Sequence, residues 1–298
     1  MIAILSCSVM RHSTPKDIES WLAAVQSPAL GGGGREPLFL KPFHLATLAL
    51  AMRRHPVRCT ELPPKLRRYA HTMRLWDTLD RPAPPLFRAV RRHTASTHAP
   101  LERLRDERRI DDTTDNLLRL FKPLRLNQAT MNALQTMLFE LMGNCFAHAG
   151  VQDGMAGVVC AQVWPKGRRA QITLADAGVD IRASLAKNTA LSSRLAAENS
   201  CELATFYGVS SKPKAGHSGY GLTVARKLLE QIGGTLYIRS GKEAFFTASN
   251  IQHYFPTAVS FDGCLLVIEW DLDRPMDVVA VYEEFPLPEG VTEDDLYM

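Results

Sequence analysis

The segment KAGHSGYGLTVARKLLEQIGGTLYIRSG, residues 214–241, constrains the fold more than any other stretch of the chain. Its first part contains Gly216, Gly219 and Gly221, and glycine allows a turn to adopt backbone conformations that other residues avoid. The following residues place apolar side chains at helical spacing, and TLYIRSG has the composition of a strand. A glycine turn, an amphipathic helix and a strand in direct succession predict an α/β fold.

A second segment, ATMNALQTMLFELMGNCFAHAG, is predicted to be helical because its apolar residues recur at steps of three and four. Thr130 is the expected N-cap. Glu140, Asn144 and His148 interrupt the apolar pattern at steps of four, so they share one face of the helix. We therefore expect a polar group to lie against that face.

A third segment, ITLADAGVDI, is predicted to be an apolar strand that delivers Asp176 into a turn containing Gly178. A carboxylate beside a glycine can accept a hydrogen bond from an exocyclic amine such as that of adenine. The glycine turn before the helix suits a phosphate group, because backbone N–H groups and the helix dipole attract anions. Asn144 offers an oxygen of the kind that Mg²⁺ accepts, and Glu140 could orient or deprotonate a water or a hydroxyl group.

In this order and spacing, the three segments resemble the GHKL superfamily of ATP-binding proteins. That superfamily includes DNA gyrase, the heat-shock chaperones of the ninety-kilodalton class, MutL-type repair proteins and histidine kinases. ELMGNCFAH matches its pattern ExxxNxxxH, DAGVDI matches DxGxGI, and SGYGL matches GxGL, within a resemblance that covers residues 112–275. It implies an α/β sandwich in which a mixed sheet carries helices on one face and the nucleotide lies between helix and sheet.

The resemblance also implies roles for individual residues. Glu140 would be the catalytic base, and Asn144 would bind both the nucleotide and the metal. ATP and Mg²⁺ are the expected cofactors. The other residues expected to bind the nucleotide are Asp176, Gly178, Ile181, Gly216, Gly219, Tyr220, Gly221 and Leu222.

Four further residues lie within or close to these motifs. Asp180 stands where DxGxGI has its second glycine, which predicts an altered turn and additional negative charge near the nucleotide. His148 is expected to have a structural role or to contact the site indirectly. Lys212 and Lys214 could reach phosphates from a lid or lie in a solvated loop, and the sequence leaves both open.

The chain is expected to divide into four parts. A small α/β domain is predicted for residues 1–85, because the strand-like IAILSCSV is followed by the helical TPKDIESWLAAVQ. This part is also weakly similar to STAS-like domains. Residues 86–110 predict a linker or connecting helix, and residues 111–275 the ATP-binding domain. Residues 276–298 are acidic and interrupted by proline, so a loosely held tail is expected there.

Composition narrows the class of protein. With 298 residues, of which 46% are hydrophobic and 22% charged, the chain falls among ordinary globular proteins. It has no long uncharged apolar run and no basic leader, so we expect a cytoplasmic protein that does not enter the membrane. The six cysteines are scattered and are expected to be reduced. An excess of arginine in the first 110 residues lacks a nucleic-acid-binding motif, which makes nucleic acid an unlikely partner.

Two classes of function remain open. The first is an enzyme, an ATP hydrolase or a serine/threonine kinase acting on a partner protein in bacterial-type signalling, close to the anti-sigma-factor kinases. The second is an interaction module that ATP gates with little turnover. A histidine kinase is disfavoured because no His-Glu or His-Asp pair precedes residue 140, and a gyrase or MutL ATPase because few residues follow the domain. A homodimer is left open.

Overall fold

A five-stranded sheet forms the centre of the protein. The computed structural model describes residues 12–26, 40–54, 64–83, 97–149, 154–212, 219–249 and 251–286. The strand order is β1-β2-β3-β5-β4. The strands are β1 (His98–Leu104), β2 (Gly157–Trp164), β3 (Arg169–Ala175), β4 (Thr235–Ala248) and β5 (Ile251–Asp271).

All neighbouring strands of this sheet pair antiparallel among the described residues. The predicted α/β sandwich is confirmed, but the expected mixed sheet is not found. The reason lies in the connections, since short turns join β2 to β3 and β4 to β5, and a short turn can join only antiparallel strands. Strands β4 and β5 are also longer than predicted, because they extend beyond the apolar stretches from which they were predicted.

Eleven helices surround the sheet in the described residues. They are α1 (Pro15–Gln26), α2 (Pro42–Arg54), α3 (Pro64–Thr72), α4 (Leu75–Thr78), α5 (Ile110–Leu118), α6 (Gln128–Asn144), α7 (Ile181–Leu185), α8 (Ser192–Ala197), α9 (Ser200–Leu203), α10 (Gly221–Ile232) and α11 (Val278–Glu283). Short 3₁₀ turns connect several of them, and α6 continues as a π-helical turn over Cys145–Ala149.

Helices α5, α6, α10 and α11 cover one face of the sheet and share a hydrophobic cluster with it. Helix α6 is capped by Asn127, whose side-chain oxygen accepts a hydrogen bond from the Thr130 N–H at 2.8 Å. The cap predicted at Thr130 is therefore wrong by one turn. The Thr130 hydroxyl instead accepts a hydrogen bond from the Met276 N–H at 3.0 Å, which ties α6 to the segment just before α11.

Helices α1 to α4 cover the opposite face, so the expectation of helices on one face is wrong for the described residues. The alternation of side chains along a strand explains why both faces need a cover. In β2, Val159 and Ala161 belong to the cluster of the first face, whereas Val158 and Cys160 belong to a second cluster with α1 to α4. A strand that is apolar on both sides must be buried on both sides.

Buried polar contacts join the N-terminal helices to the sheet. Glu269 of β5 is only 1% exposed and accepts hydrogen bonds from the Ser13 hydroxyl at 2.7 Å and from Lys41 Nζ at 3.4 Å. Arg239 of β4 is also buried and donates to Glu19 of α1 at 3.0 Å. Because a buried charge is costly without a partner, these pairs favour one seating of the helices on the sheet.

Two predicted segment boundaries change. Residues 98–104, expected within a linker, form edge strand β1, because Leu101 and Leu104 are buried in the hydrophobic clusters on the two faces of the sheet. Residues 278–283, expected within the tail, form α11, whose Val281 is fully buried. The strands predicted at residues 2–9 and 57–62 lie outside the described residues. The division near residue 85 and the STAS-like similarity stay predictions.

Among the residues that the structure describes, no helix has both the length and the apolar character needed to span a membrane.

Candidate functional site

A cavity of about 350 Å³ opens between the C-terminal half of α6, the end of β3 and the start of α10. Gly178 does not line this cavity but donates a hydrogen bond to a residue that does, and Gly216 lies outside the described residues. Most of the residues predicted for the site line the cavity, namely Glu140, Asn144, Asp176, Ile181, Gly219, Tyr220, Gly221 and Leu222. Three motifs that are distant in the sequence therefore meet at one cavity.

Asp176 lies at one end of the cavity, directly after β3. Its Oδ1 accepts hydrogen bonds from the N–H groups of Gly178 at 2.9 Å and Cys264 at 3.3 Å. Burial raises the pKa of the Asp176 carboxyl to about 7, although these two N–H donors act in the opposite direction. Hydrogen bonds from the backbone therefore hold Oδ1 in place, and the residue also borders the cavity.

The close approach of strand β5 to Asp176 depends on Gly263. A β-carbon at that position would lie 2.2 Å from the Asp176 carbonyl oxygen, and the backbone there has φ of 89°. Both facts require glycine, since side chains rarely adopt positive φ and the contact leaves no room for one. The next residue, Cys264, accepts a hydrogen bond from the Asp176 N–H at 2.9 Å.

The other end of the cavity is formed where α10 begins. A β-carbon at Gly221 would lie 3.1 Å from Asn144 Nδ2 and 3.1 Å from Glu140 Oε2. The polar face of α6, which carries Glu140 and Asn144 one turn apart, therefore meets the N-terminus of α10. The first N–H groups of a helix have no partner within it, so this end of α10 attracts anions.

The comparison with known families agrees with this geometry. Residues 130–253 match the family model described as Histidine kinase-, DNA gyrase B-, and HSP90-like ATPase. The chain contains an ATP-binding domain of the GHKL type. No curated protein matches the chain. In this GHKL-type domain the matched range begins within α6 and ends within β5, and the sheet continues beyond both ends to β1 and to Asp271.

The α-helix that carries the first motif of the GHKL-type domain widens into the π-helical turn directly after Asn144. His148 lies in that turn, borders the cavity, and its Nδ1 is 3.2 Å from the Ser184 hydroxyl. The Lys212 ammonium group donates a hydrogen bond to the Ala147 carbonyl at 3.0 Å, so it is anchored to the same turn. Lys214 lies outside the described residues.

Asp180 takes the place of the second glycine of DxGxGI without straining the GHKL-type domain. Its backbone has φ of −64° and ψ of 157°, a conformation that any residue adopts. Its side chain caps α7 by accepting a hydrogen bond from the Ala183 N–H at 2.7 Å. The aspartate at this position therefore provides a helix cap. The altered turn that the sequence predicted is not needed to accommodate it.

The segment between β3 and α10 covers the cavity of the GHKL-type domain as a folded lid, which we define as residues 186–212. Leu195, Leu203 and Val209 of this lid share a small hydrophobic cluster with Leu185 of α7. Arg182 of α7 fastens the lid by donating to the Glu198 carbonyl at 2.8 Å and pairs with a carboxylate of β4. The described part of the lid is therefore attached both to α7 and to the sheet.

Several cavity residues were missed by reasoning from the sequence. Cys264 and Leu266 of β5 line the cavity, as do Ser184 and Ser211. Gly263 provided a signal, because an isolated glycine before an apolar strand indicates close approach of another backbone. Nothing in the local pattern distinguished the two serines, because they reach the cavity only through the fold of the lid.

Proposed function

We propose that this domain is a magnesium-dependent enzyme that cleaves ATP, either hydrolysing it or transferring its terminal phosphate to a serine or threonine of a partner protein. The observation that carries the proposal is the position of Glu140. Its Oε2 lies 3.1 Å from where a β-carbon of Gly221 would be, at the N-terminus of α10. A carboxylate beside an anion-binding helix end is placed to act on a nucleophile that attacks a phosphate.

Each end of the cavity has its own part in this proposal. Asp176 would accept a hydrogen bond from the exocyclic amine of adenine, because its charged form is an acceptor and it borders the cavity. The N-terminus of α10 would hold the phosphates through its backbone N–H groups. Gly178, Ile181, Tyr220 and Leu222 would shape the walls between these ends, and Gly219, with φ of 72°, would form the turn.

Mg²⁺ fits the residues that are present. Asn144 supplies an amide beside the Glu140 carboxylate at the helix end, and Mg²⁺ needs few protein ligands because it keeps waters and takes phosphate oxygens. The ion would neutralise charge on the phosphates. Glu140 would remove the proton from the attacking water or hydroxyl group, and Asn144 would hold the ion in place beside it.

Replacing Glu140 with glutamine tests the proposal. Glu140→Gln keeps the size of the side chain but removes its basicity, so ATP binding should stay near the wild-type value in titration calorimetry. Phosphate release, or transfer to a partner, should fall by roughly 10²- to 10⁴-fold, which is the usual contribution of a general base. The matched control is Glu283→Gln, since Glu283 is exposed on α11 and does not line the cavity. Unchanged phosphate release in Glu140→Gln would show that Glu140 is not the base.

A nucleotide-gated interaction module is the second candidate, and the folded lid favours it. A lid with a hydrophobic cluster of its own can present a closed surface to another protein without turnover. If the wild type releases no phosphate while ATP changes which protein is retained in a pull-down, the module is the correct description. The partner protein, a role in bacterial-type signalling and a homodimer belong to both proposals.

A further inference from the structure

Three aromatic rings meet beside the phosphate end of the cavity, and we call them the aromatic clasp: Tyr207, Tyr220 and Phe285. The Tyr207 and Tyr220 rings are stacked with centroids 4.7 Å apart, and their hydroxyl groups are hydrogen-bonded at 3.0 Å. The Phe285 ring lies 4.7 Å from that of Tyr207 and 5.6 Å from that of Tyr220. Ring pairs at these separations attract one another beyond the effect of burial.

Each ring of the clasp comes from a different part of the chain. Tyr207 belongs to the lid, Tyr220 lies between Gly219 and Gly221 of the glycine turn, and Phe285 follows α11. Tyr220 is the residue directly before α10, so the position of its ring fixes the first turn of that helix. Holding Tyr220 therefore holds the helix end that faces Glu140 and Asn144.

The segment that contains α11 and Phe285 is attached to α10 by several polar contacts. Asp277 caps α11 through a hydrogen bond from the Val279 N–H at 2.9 Å, and Asp277 and Gln231 of α10 exchange two hydrogen bonds of 3.0 Å. Lys227 of α10 pairs with Glu284 at 2.6 Å. These contacts attach the segment that carries Phe285 directly to α10.

We propose that Phe285 is a positioning residue for the phosphate end of the ATP site, acting through Tyr220 on the N-terminus of α10. This inference rests on the proposed function, because it takes the α10 N-terminus to be the place where the phosphates bind. The segment after β5, the last strand of the domain, would thus help to position the bound phosphates. Adenine recognition at Asp176 is at the other end of the cavity and does not depend on the clasp.

The test compares ATP with adenosine, because only ATP reaches the phosphate end. In titration calorimetry with Mg²⁺, Phe285→Ala should weaken ATP binding about tenfold, which corresponds to the loss of one to two aromatic contacts. Adenosine binding should not change. Phe285→Tyr keeps the ring and should restore ATP binding. Phe285→Leu keeps apolar volume without a ring and should resemble the alanine variant. Because the leucine still fills the space, this variant separates loss of the ring from misfolding caused by a cavity. Val279→Ser, at an exposed site on α11, is the control and should bind like the wild type.

Two results would overturn the inference. One is ATP binding by Phe285→Ala and Phe285→Leu that equals the wild type, and the other is an equal loss for ATP and adenosine, which would indicate general destabilisation. Failure of the proposed function has a different signature. In that case the wild type would release no phosphate from ATP, and if the phosphates do not bind in the cavity at all, it would also bind ATP no more tightly than adenosine, whatever stands at position 285.

Discussion

Replacing Asp176 with asparagine should make the free energy of unfolding less dependent on pH. Burial raises the pKa of the Asp176 carboxyl to about 7, far above the value of 3.8 for an exposed aspartate. The folded state therefore binds this proton more tightly than the unfolded state does. Stability from this group is complete below about pH 4 and is lost as pH rises through about 7. An asparagine has nearly the same shape and no proton to lose.

The size of the effect follows from that difference in pKa. One pKa unit corresponds to about 1.4 kcal/mol, so the difference of about three units sets an upper limit of about 4 kcal/mol. Between about pH 5 and about pH 8, the wild type should lose about 2–3 kcal/mol of unfolding free energy relative to Asp176→Asn. The asparagine oxygen can still accept the hydrogen bonds that Gly178 and Cys264 donate to Oδ1.

Urea unfolding of both proteins at several pH values measures this difference directly. The quantity of interest is the change in unfolding free energy between wild type and variant, since other titrating groups cancel in it. A difference that stays constant from about pH 5 to about pH 8 would refute the reasoning, because it would mean that Asp176 is ionised throughout. In calorimetry, the same variant should bind ATP weakly at every pH, whereas wild-type binding should weaken as pH falls below about 7.

Two further predictions concern the backbone near the site. Gly263→Ala should unfold the protein or destabilise it by at least about 3 kcal/mol, because the new methyl group would meet the Asp176 carbonyl at 2.2 Å, and thermal melting should show a large drop. Gly143→Ala is its control and should be neutral or stabilise by up to about 1 kcal/mol, because a β-carbon there meets nothing within 4 Å in a helix. Asp180→Gly, which removes the cap on the Ala183 N–H, should cost a few tenths of a kcal/mol and leave ATP affinity in calorimetry unchanged; a gain in affinity would show that Asp180 repels the nucleotide.

The site could be predicted largely from the sequence because its residues come from local patterns. Glu140 and Asn144 lie one turn apart on a helix, and Asp176 ends a strand, so each position follows from a short stretch of sequence. Asp180 was harder to interpret. A glycine in a motif can indicate positive φ or merely absence of a side chain, and only the backbone angles show that the aspartate fits here.

The layers around the sheet were harder to predict because they depend on contacts between distant residues. The charged stretch LERLRDERRIDD indicated a linker, yet its residues Leu101 and Leu104 are buried in the clusters on opposite faces of the sheet and belong to an edge strand. Similarly, the acidic residues near the C-terminus hid the apolar pair Val278 and Val281 of α11. Composition averages over a segment, whereas burial depends on which side of the backbone each residue takes.

The two ends of the cavity are supported by different parts of the chain. Asp176 follows Ala175, which pairs with Leu265 of β5, and both of these residues belong to the cluster that α1 to α4 cover. The end proposed to bind adenine therefore has the N-terminal helices directly behind it, while the end proposed to bind the phosphates has Phe285 packed against Tyr220. Because packed interiors transmit displacement with little compression, loosening the N-terminal layer should act first on Asp176, and loosening α11 first on Gly221. Under the proposed roles, the N-terminal helices would support purine binding and α11 would support phosphate positioning.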